Sequence, residues 1–318
     1  MIERAITSTA SLLLLIFVGV LLGKSPVIKK NNGDLVISHF LANWALPCFI
    51  FNNIYSSFEG PRDIVDVFIN LPISFGLILL MLVIGAVFAR LMKISPERQG
   101  AFANANAFAN TSFVGFPMIT TLFGPEIMPY GMVYYIANTL LFFTAGTWLL
   151  ARDAGKNEPI FTKAGLKKIF TPMMISMLLG IAAKLCNLHL PGFVDNSLDY
   201  FNSVCPCMGM IFVGIVISKN ASGLKTYVGD ISRLILLRYF VTPFVIGSFL
   251  LLIPADNTIK AAYFILSLLP SITQMSIMSR VIGSDSTFCA IWLTVSSTIG
   301  IAYVPVIVLL AEKIFKFI

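Results

Sequence analysis

Asn104 to Gly124 reads NANAFANTSFVGFPMITTLFG. Hydrophobic segments long enough to span a membrane surround it, yet it carries Asn104, Asn106, Asn110, Thr111 and Ser112. Hydrocarbon offers such groups no hydrogen-bond partner, so they must face protein or a water-filled cavity. Gly115 weakens a helix, and Pro117 removes a backbone donor and clashes with the preceding turn. The stretch predicts a helix broken midway, at Gly115 and Pro117, with amide and hydroxyl groups exposed at membrane depth. Discontinuous helices of this kind build the binding sites of transporters.

Composition agrees. The 318 residues are 57% hydrophobic and 12% charged, with a mean hydropathy of +0.88. A soluble domain carries about 25% charge. The expectation is an all-α polytopic membrane protein. Its apolar runs have the ~20-residue length a helix needs to cross hydrocarbon, and the ~10-residue alternation of an outer-membrane barrel is not seen. The net charge of +7 sits in short loops, where it sets orientation, so no nucleic-acid partner is expected. The five cysteines lie mostly within spans, and Cys205-Pro206-Cys207 is not a zinc spacing. His39 and His189 form no pair. No metal ligand set and no cofactor are expected. Ile6 to Gly23 is long for the apolar region of a cleaved signal and no A-x-A site follows, which predicts a retained first span.

Ten transmembrane helices are expected, at about 6–23, 36–55, 66–91, 101–123, 129–151, 168–187, 198–218, 231–253, 260–282 and 288–312. Fifteen Lys and Arg then fall in loops on one side and six on the other. The positive-inside rule makes the richer side cytoplasmic and puts both termini outside. Pro47-Cys48 and Pro206-Cys207 are 159 residues apart, as are Gly124 and Gly283. The expected organisation is a first five-helix repeat over 1–152, a cytoplasmic connecting loop over 153–167, and a second, inverted repeat over 168–318. An odd span count per repeat inverts the second relative to the first.

Span nine is the partner of the opening stretch. Pro270 interrupts it, with Ser271, Thr273, Gln274 and Ser276 nearby. Helices four and nine would be broken and crossing, and their half-helix N-termini would offer positive charge and amide donors to an anion. Asn110, Thr111, Ser112, Pro270, Ser271 and Gln274 are the candidate substrate contacts, with Gly115, Pro117 and Pro270 as helix breakers. Asn43, Pro47, Asn138 and Arg280 are secondary candidates. The bland account of in-span amides is interhelical hydrogen bonding, worth about 0.6 kcal/mol each. For Arg238 and Arg280 it is snorkelling to the cytoplasmic interface. No Asp or Glu falls in the middle of a span, which disfavours an aspartate-relay antiporter.

On these residues the sequence resembles the auxin efflux carrier family of membrane transporters, whose bacterial members are proposed to move malate, malonate and similar acids. The resemblance covers the whole chain and is most specific at Asn110-Thr111-Ser112-Phe113-Val114-Gly115-Phe116-Pro117. Leu46-Pro47, and Leu269-Pro270 ten residues before Arg280, are similar to the family's second- and ninth-span patterns. The resemblance implies a substrate carboxylate near Asn110 at the crossing of spans four and nine. It also implies a scaffold of spans one, two, six and seven, dimeric through that scaffold, with the other spans moving as an elevator. Plant members often place Pro before the Asn-Thr; here Ala109 stands there, which favours a microbial substrate over auxin.

The expected function is a secondary transporter of small organic anions, mono- or dicarboxylates, in the cell membrane of a bacterium, with membrane lipid and a second copy of the chain as partners. The alternative is a sodium-coupled symporter of the bile-acid type. An intramembrane enzyme is disfavoured, since no His/Asp/Glu or Ser/His constellation lies within the spans.

Overall fold

The computed structural model describes residues 14–30, 33–58, 61–156, 170–218 and 224–316. The start of the expected first span (6–13) and the expected connecting loop beyond Lys156 lie outside the described residues. Every regular element among those described is helical. Five helices are long and apolar enough to cross a membrane: Gly33–Ser56, Arg62–Leu91, Pro125–Asp153, Gly192–Val216 and Thr226–Leu251. The pair Ser286–Gly300 and Tyr303–Phe315, bent by 63°, makes a sixth if it is one span. Leu14–Lys24, Thr111–Phe123 and Pro172–Leu185 are shorter apolar helices.

The chain divides into two compact units that interleave along the sequence. One comprises Met1–Leu71, Thr111–Tyr135 and Phe170–Lys219; the other comprises Pro72–Asn110, Ile136–Ile169 and Asn220–Ile318. Compact units and sequence halves are therefore different divisions of this chain.

In the first unit, Pro172–Leu185 and Gly192–Ile217 both pack on Leu46–Ser57. Thr171 starts the first of these helices by accepting the Met174 amide, with Pro172 behind it. Between helices in lipid there is no hydrophobic transfer to gain, so close backbone approach and polar contacts carry association. Both are present. A Cβ added at Gly19 would fall on Ile211 O, and one added at Gly214 would fall on Ile16 O. Asn52 Nδ2 donates to Asp199 Oδ1 at 3.1 Å, and Asn53 Nδ2 to Asn202 Oδ1 at 3.0 Å. Gly214→Ala therefore forces backbone apart and is expected to cost about 1–3 kcal/mol. A thermal melt in detergent unchanged from the native protein would contradict this close approach.

In the second unit, Ser286–Phe315 packs against both Asn257–Leu268 and Thr273–Ile282, and Thr147–Asp153 packs against Gln99–Ala107. Asp153 is buried and accepts the Gly100 and Ala101 amides at 2.8 and 2.7 Å. It thereby satisfies orphan donors where Gln99–Ala107 begins. Asp256 and Asp285 cap Asn257–Leu268 and Ser286–Phe315 by accepting the Thr258 and Phe288 amides.

Four turns are wound as π-helix: Leu41–Ala45, Thr111–Gly115, Phe142–Gly146 and Leu237–Val241. Three of them end two residues before a proline, at Pro47, Pro117 and Pro243. Proline cannot bond the carbonyl four residues back and clashes with it, and a widened turn relieves both. After Pro243 that freed carbonyl is Tyr239 O, which accepts the Tyr303 hydroxyl at 2.7 Å. Before Pro117 it is Phe113 O, which lies where only Gly209 fits, 2.8 Å from a Cβ there.

This corrects the expected position of one break. Gly115 has helical angles (φ −66°, ψ −53°), and Pro117 lies near the start of Phe116–Phe123. The helix is interrupted earlier, at residues 108–110, between Gln99–Ala107 and Thr111–Gly115. The π turn absorbs the proline without parting the chain. Pro270, by contrast, lies in its break, between Asn257–Leu268 and Thr273–Ile282.

Candidate functional site

The two breaks meet within the second unit. Residues that leave a helix must place their amides and carbonyls somewhere, and in a membrane only protein or enclosed water can take them. Here each break serves the other. Ala109 and Ser271 form an isolated antiparallel bridge. The Asn110 amide donates to Pro270 O at 2.8 Å, and the Ile272 amide to Phe108 O at 3.2 Å. Phe108 (φ −95°, ψ 124°), Leu269 (φ −62°, ψ 162°) and Ile272 (φ −64°, ψ 132°) are extended. Leu269 must be, since it precedes proline. The result is two short extended segments crossing in a helical surrounding.

Side chains complete the accounting. Asn138 is fully buried; its Nδ2 donates to Ala109 O at 3.2 Å and its Oδ1 accepts the Ala109 amide at 3.4 Å. Its amide thus stands in for a neighbouring strand. The Ser271 amide donates to Ser296 Oγ at 3.2 Å. Asn106 bridges outward, donating to Met81 O at 2.8 Å while its Oδ1 accepts the Thr242 hydroxyl at 2.8 Å. Asn104 donates to Gly146 O at 2.8 Å. Asn138→Leu leaves two buried backbone groups of Ala109 without these partners. The expected loss is about 2–6 kcal/mol, from about 1–3 kcal/mol for each of the two unsatisfied groups. Denaturant unfolding in detergent checks it; a loss below that range would place the partners elsewhere.

Arg238 is the residue that sequence reasoning misread. It does not snorkel: it is fully buried, on the π turn Leu237–Val241. Its Nη1 donates to Ala105 O at 3.2 Å and also to Asn106 O; its Nη2 donates to Ser267 O at 3.3 Å and Leu269 O at 2.5 Å. These carbonyls belong to the last turn of Gln99–Ala107 and to the last turn and C-cap of Asn257–Leu268, where four acceptors per helix lack intrahelical partners. One guanidinium therefore caps both half-helices. Its mid-span position, with Pro243 a few residues on, was the local signal in the sequence.

The sequence candidates distribute unevenly. Asn110, Pro270, Ser271 and Asn138 converge at the crossing. Ser271 Oγ is buried and makes no hydrogen bond there. Gln274 lies half-buried in the first turn of Thr273–Ile282, whose N-terminus follows the second break. Thr111 and Ser112 follow Asn110 in the chain and are buried in the other unit, as Pro47 is. Asn43 is exposed and bonds His39 O in its own helix at 2.9 Å. Arg280 is exposed in the last turn of Thr273–Ile282.

A cleft of about 630 Å³ opens at the other end of the half-helix, lined by Glu97, Arg152, Asp153 and Asp285 among others. The nine residues of Gln99–Ala107 put it about 13 Å along the axis from the break. Beside it, Arg98 bonds Asp230 at 2.5 Å and Asp285 at 2.8 Å. Its guanidinium lies 4.5 Å from the Tyr227 ring centroid. Burial works against the charge on Arg98, but the two carboxylates outweigh it and raise its pKa.

A family model described as a membrane transport protein matches residues 4–308. The chain belongs to this family, the auxin efflux carriers. The transporter is similar to an uncharacterized transporter of Methanothermobacter thermautotrophicus, 25% identical over 234 residues that cover 73% of this chain and 74% of that one. It is also similar to one of Methanocaldococcus jannaschii, 21% identical over 293 residues, 91% of this chain and 93% of that one. Membership and the apolar helices together make it a multi-pass membrane transporter, as the resemblance implied, and do not favour the bile-acid symporter alternative.

Proposed function

We propose that the transporter moves small organic anions, mono- or dicarboxylates, across the cell membrane by elevator-type alternating access. The observation that carries this reading is the crossing itself: two broken helices paired at Ala109 and Ser271, with Asn110 beside the bridge. Asn110 and Ser271 supply donors, and Pro270 and Gln274 shape the second segment. The N-terminus of Thr273–Ile282 adds positive potential and amide donors, which suit a carboxylate.

Two further observations support the mechanism. The chain forms two compact units, as a rigid-body mechanism requires. The first holds Leu14–Lys24, Leu46–Ser57, Pro172–Leu185 and Gly192–Ile217, the helices of the proposed scaffold spans one, two, six and seven, together with Thr111–Phe123, the second half of broken span four. Gly124 and Gly283 each follow a half-helix with positive φ, 93° and 88°. They hold equivalent places 159 residues apart, as two inverted five-helix repeats over 1–152 and 168–318 would have them. Ten spans, both termini outside, and a homodimer through the scaffold helices belong to the same proposal.

The test is thermal stabilisation of the purified protein across a panel of small mono- and dicarboxylates. A ligand at a hundredfold its Kd stabilises by about 2.7 kcal/mol. Stabilisation by one class of acids is expected. A folded protein that responds to none, with and without sodium and at low pH, would overturn the carboxylate assignment.

A further inference from the structure

A broken helix has two new ends of opposite polarity. The N-terminal end after the break carries partial positive charge and suits an anion; the C-terminal end before it carries about half a negative charge and repels one. Two crossing breaks therefore bring two negative ends, those of Gln99–Ala107 and Asn257–Leu268, to the same place. A site for anions built this way works against itself unless those ends are neutralised.

From the placement of Arg238 we infer that it is the specificity-determining residue that makes this crossing an anion site. Its guanidinium is fully buried and lies on both negative ends at once, bonded to Ala105 O and Asn106 O on one helix and Ser267 O and Leu269 O on the other. All four carbonyls lie within one turn of the breaks at 108–110 and 269–272. One full positive charge offsets two half-charges, so the positive N-terminal ends dominate the potential at the crossing. In low dielectric this balance acts with little screening. Arginine suits the place because its planar fork aims two nitrogens at two separate helix ends. The residue acts through the field at the site and need not touch the substrate. This inference rests on the carboxylate-transport reading.

The test compares Arg238→Gln, which keeps two donors and removes the charge, with Arg238→Lys, which keeps the charge. The probes are acid pairs matched in carbon skeleton and differing by one carboxylate: malonate against propionate, and succinate against butyrate. Affinities are read by thermal shift at pH 7.5. Loss of a positive charge near the site weakens a dianion more than a monoanion. In Arg238→Gln the preference for the dianion is expected to fall about tenfold, a change of one factor of ten per 1.4 kcal/mol. Arg238→Lys is expected to hold the preference within about twofold, even where both affinities drop. A residue that only held the fold would weaken both members of each pair alike, so an unchanged preference in Arg238→Gln overturns the inference. Should that variant fail to fold, Arg238→Lys decides: retention of the preference supports the inference and its loss overturns it. A native protein that responds to none of these acids or the wider panel, with and without sodium and at low pH, overturns the carboxylate reading, and this inference with it. A native response with an unchanged variant preference overturns the inference alone.

Discussion

Asn110→Ala is expected to lose the stabilisation that carboxylates give the native protein while the protein still folds. The substitution keeps the backbone bond by which Asn110 holds the crossing. Its amide donates to Pro270 O at 2.8 Å, and that bond does not depend on the side chain. Alanine suits a buried extended residue; Ala109 beside it is already fully buried. What is lost is the carboxamide, at a residue only 7% exposed. A hydrogen bond to a charged group contributes about 1.5–3 kcal/mol, so Kd should weaken by about ten- to a hundredfold. Asn110→Asp keeps the shape and adds a negative charge, and should weaken anion binding further. A native-like carboxylate response in Asn110→Ala would remove Asn110 from the site. A collapsed melting temperature would make it a structural residue.

Arg98→Met is expected to produce the largest loss of stability among the surface-proximal substitutions, about 2–4 kcal/mol. Arg98 joins three helices of the second unit. It precedes Gln99–Ala107, pairs with Asp230 on Leu224–Leu236, and pairs with Asp285, which caps Ser286–Phe315. The Asp230 and Asp285 side chains are 15% and 18% exposed. Removing the cation leaves two partly buried carboxylates facing each other, and breaking one partner of such a network costs more than replacing the whole. Tyr227 still donates to Asp285 and Arg233 still pairs with Asp230, which keeps the figure below that of a fully buried pair. The triple variant Arg98→Met, Asp230→Asn, Asp285→Asn should therefore recover part of the loss. Denaturant unfolding of the single and triple variants gives the comparison. Equal losses would show that the contribution comes from packing of the Arg98 side chain on Tyr227 and Phe288, not from its charge.

Much of the helical plan was legible in the sequence, because lipid imposes one rule: apolar helical runs broken only where protein takes up the backbone. The break at Pro270 was legible because proline acts locally. The break at 108–110 was misplaced onto Gly115 and Pro117 because nothing within Phe108-Ala109-Asn110 forbids a helix. That segment is held open by Asn138, 29 residues away, and by the second break itself. Pro117, the obvious breaker, was accommodated by a π turn that sequence pattern does not announce. In the sequence Arg238 reads as a snorkelling cation, since only the fold shows two helix ends with eight carbonyls to satisfy. In the sequence Asn138 reads as a secondary substrate candidate whose bland account is interhelical hydrogen bonding, because an in-span amide looks the same whether it faces a ligand or a broken backbone. Asn43, two residues along from a π turn's start, turned out to bond its own helix.

The most direct test of the central claim is flux. Purified protein in liposomes, loaded and challenged with the acid that stabilises it best, should show saturable, counter-flow-stimulated uptake that is lost in Asn110→Ala. Folded protein that binds the acid yet moves none, or moves it without saturation at rates far above those of a transporter, would contradict alternating access around this crossing.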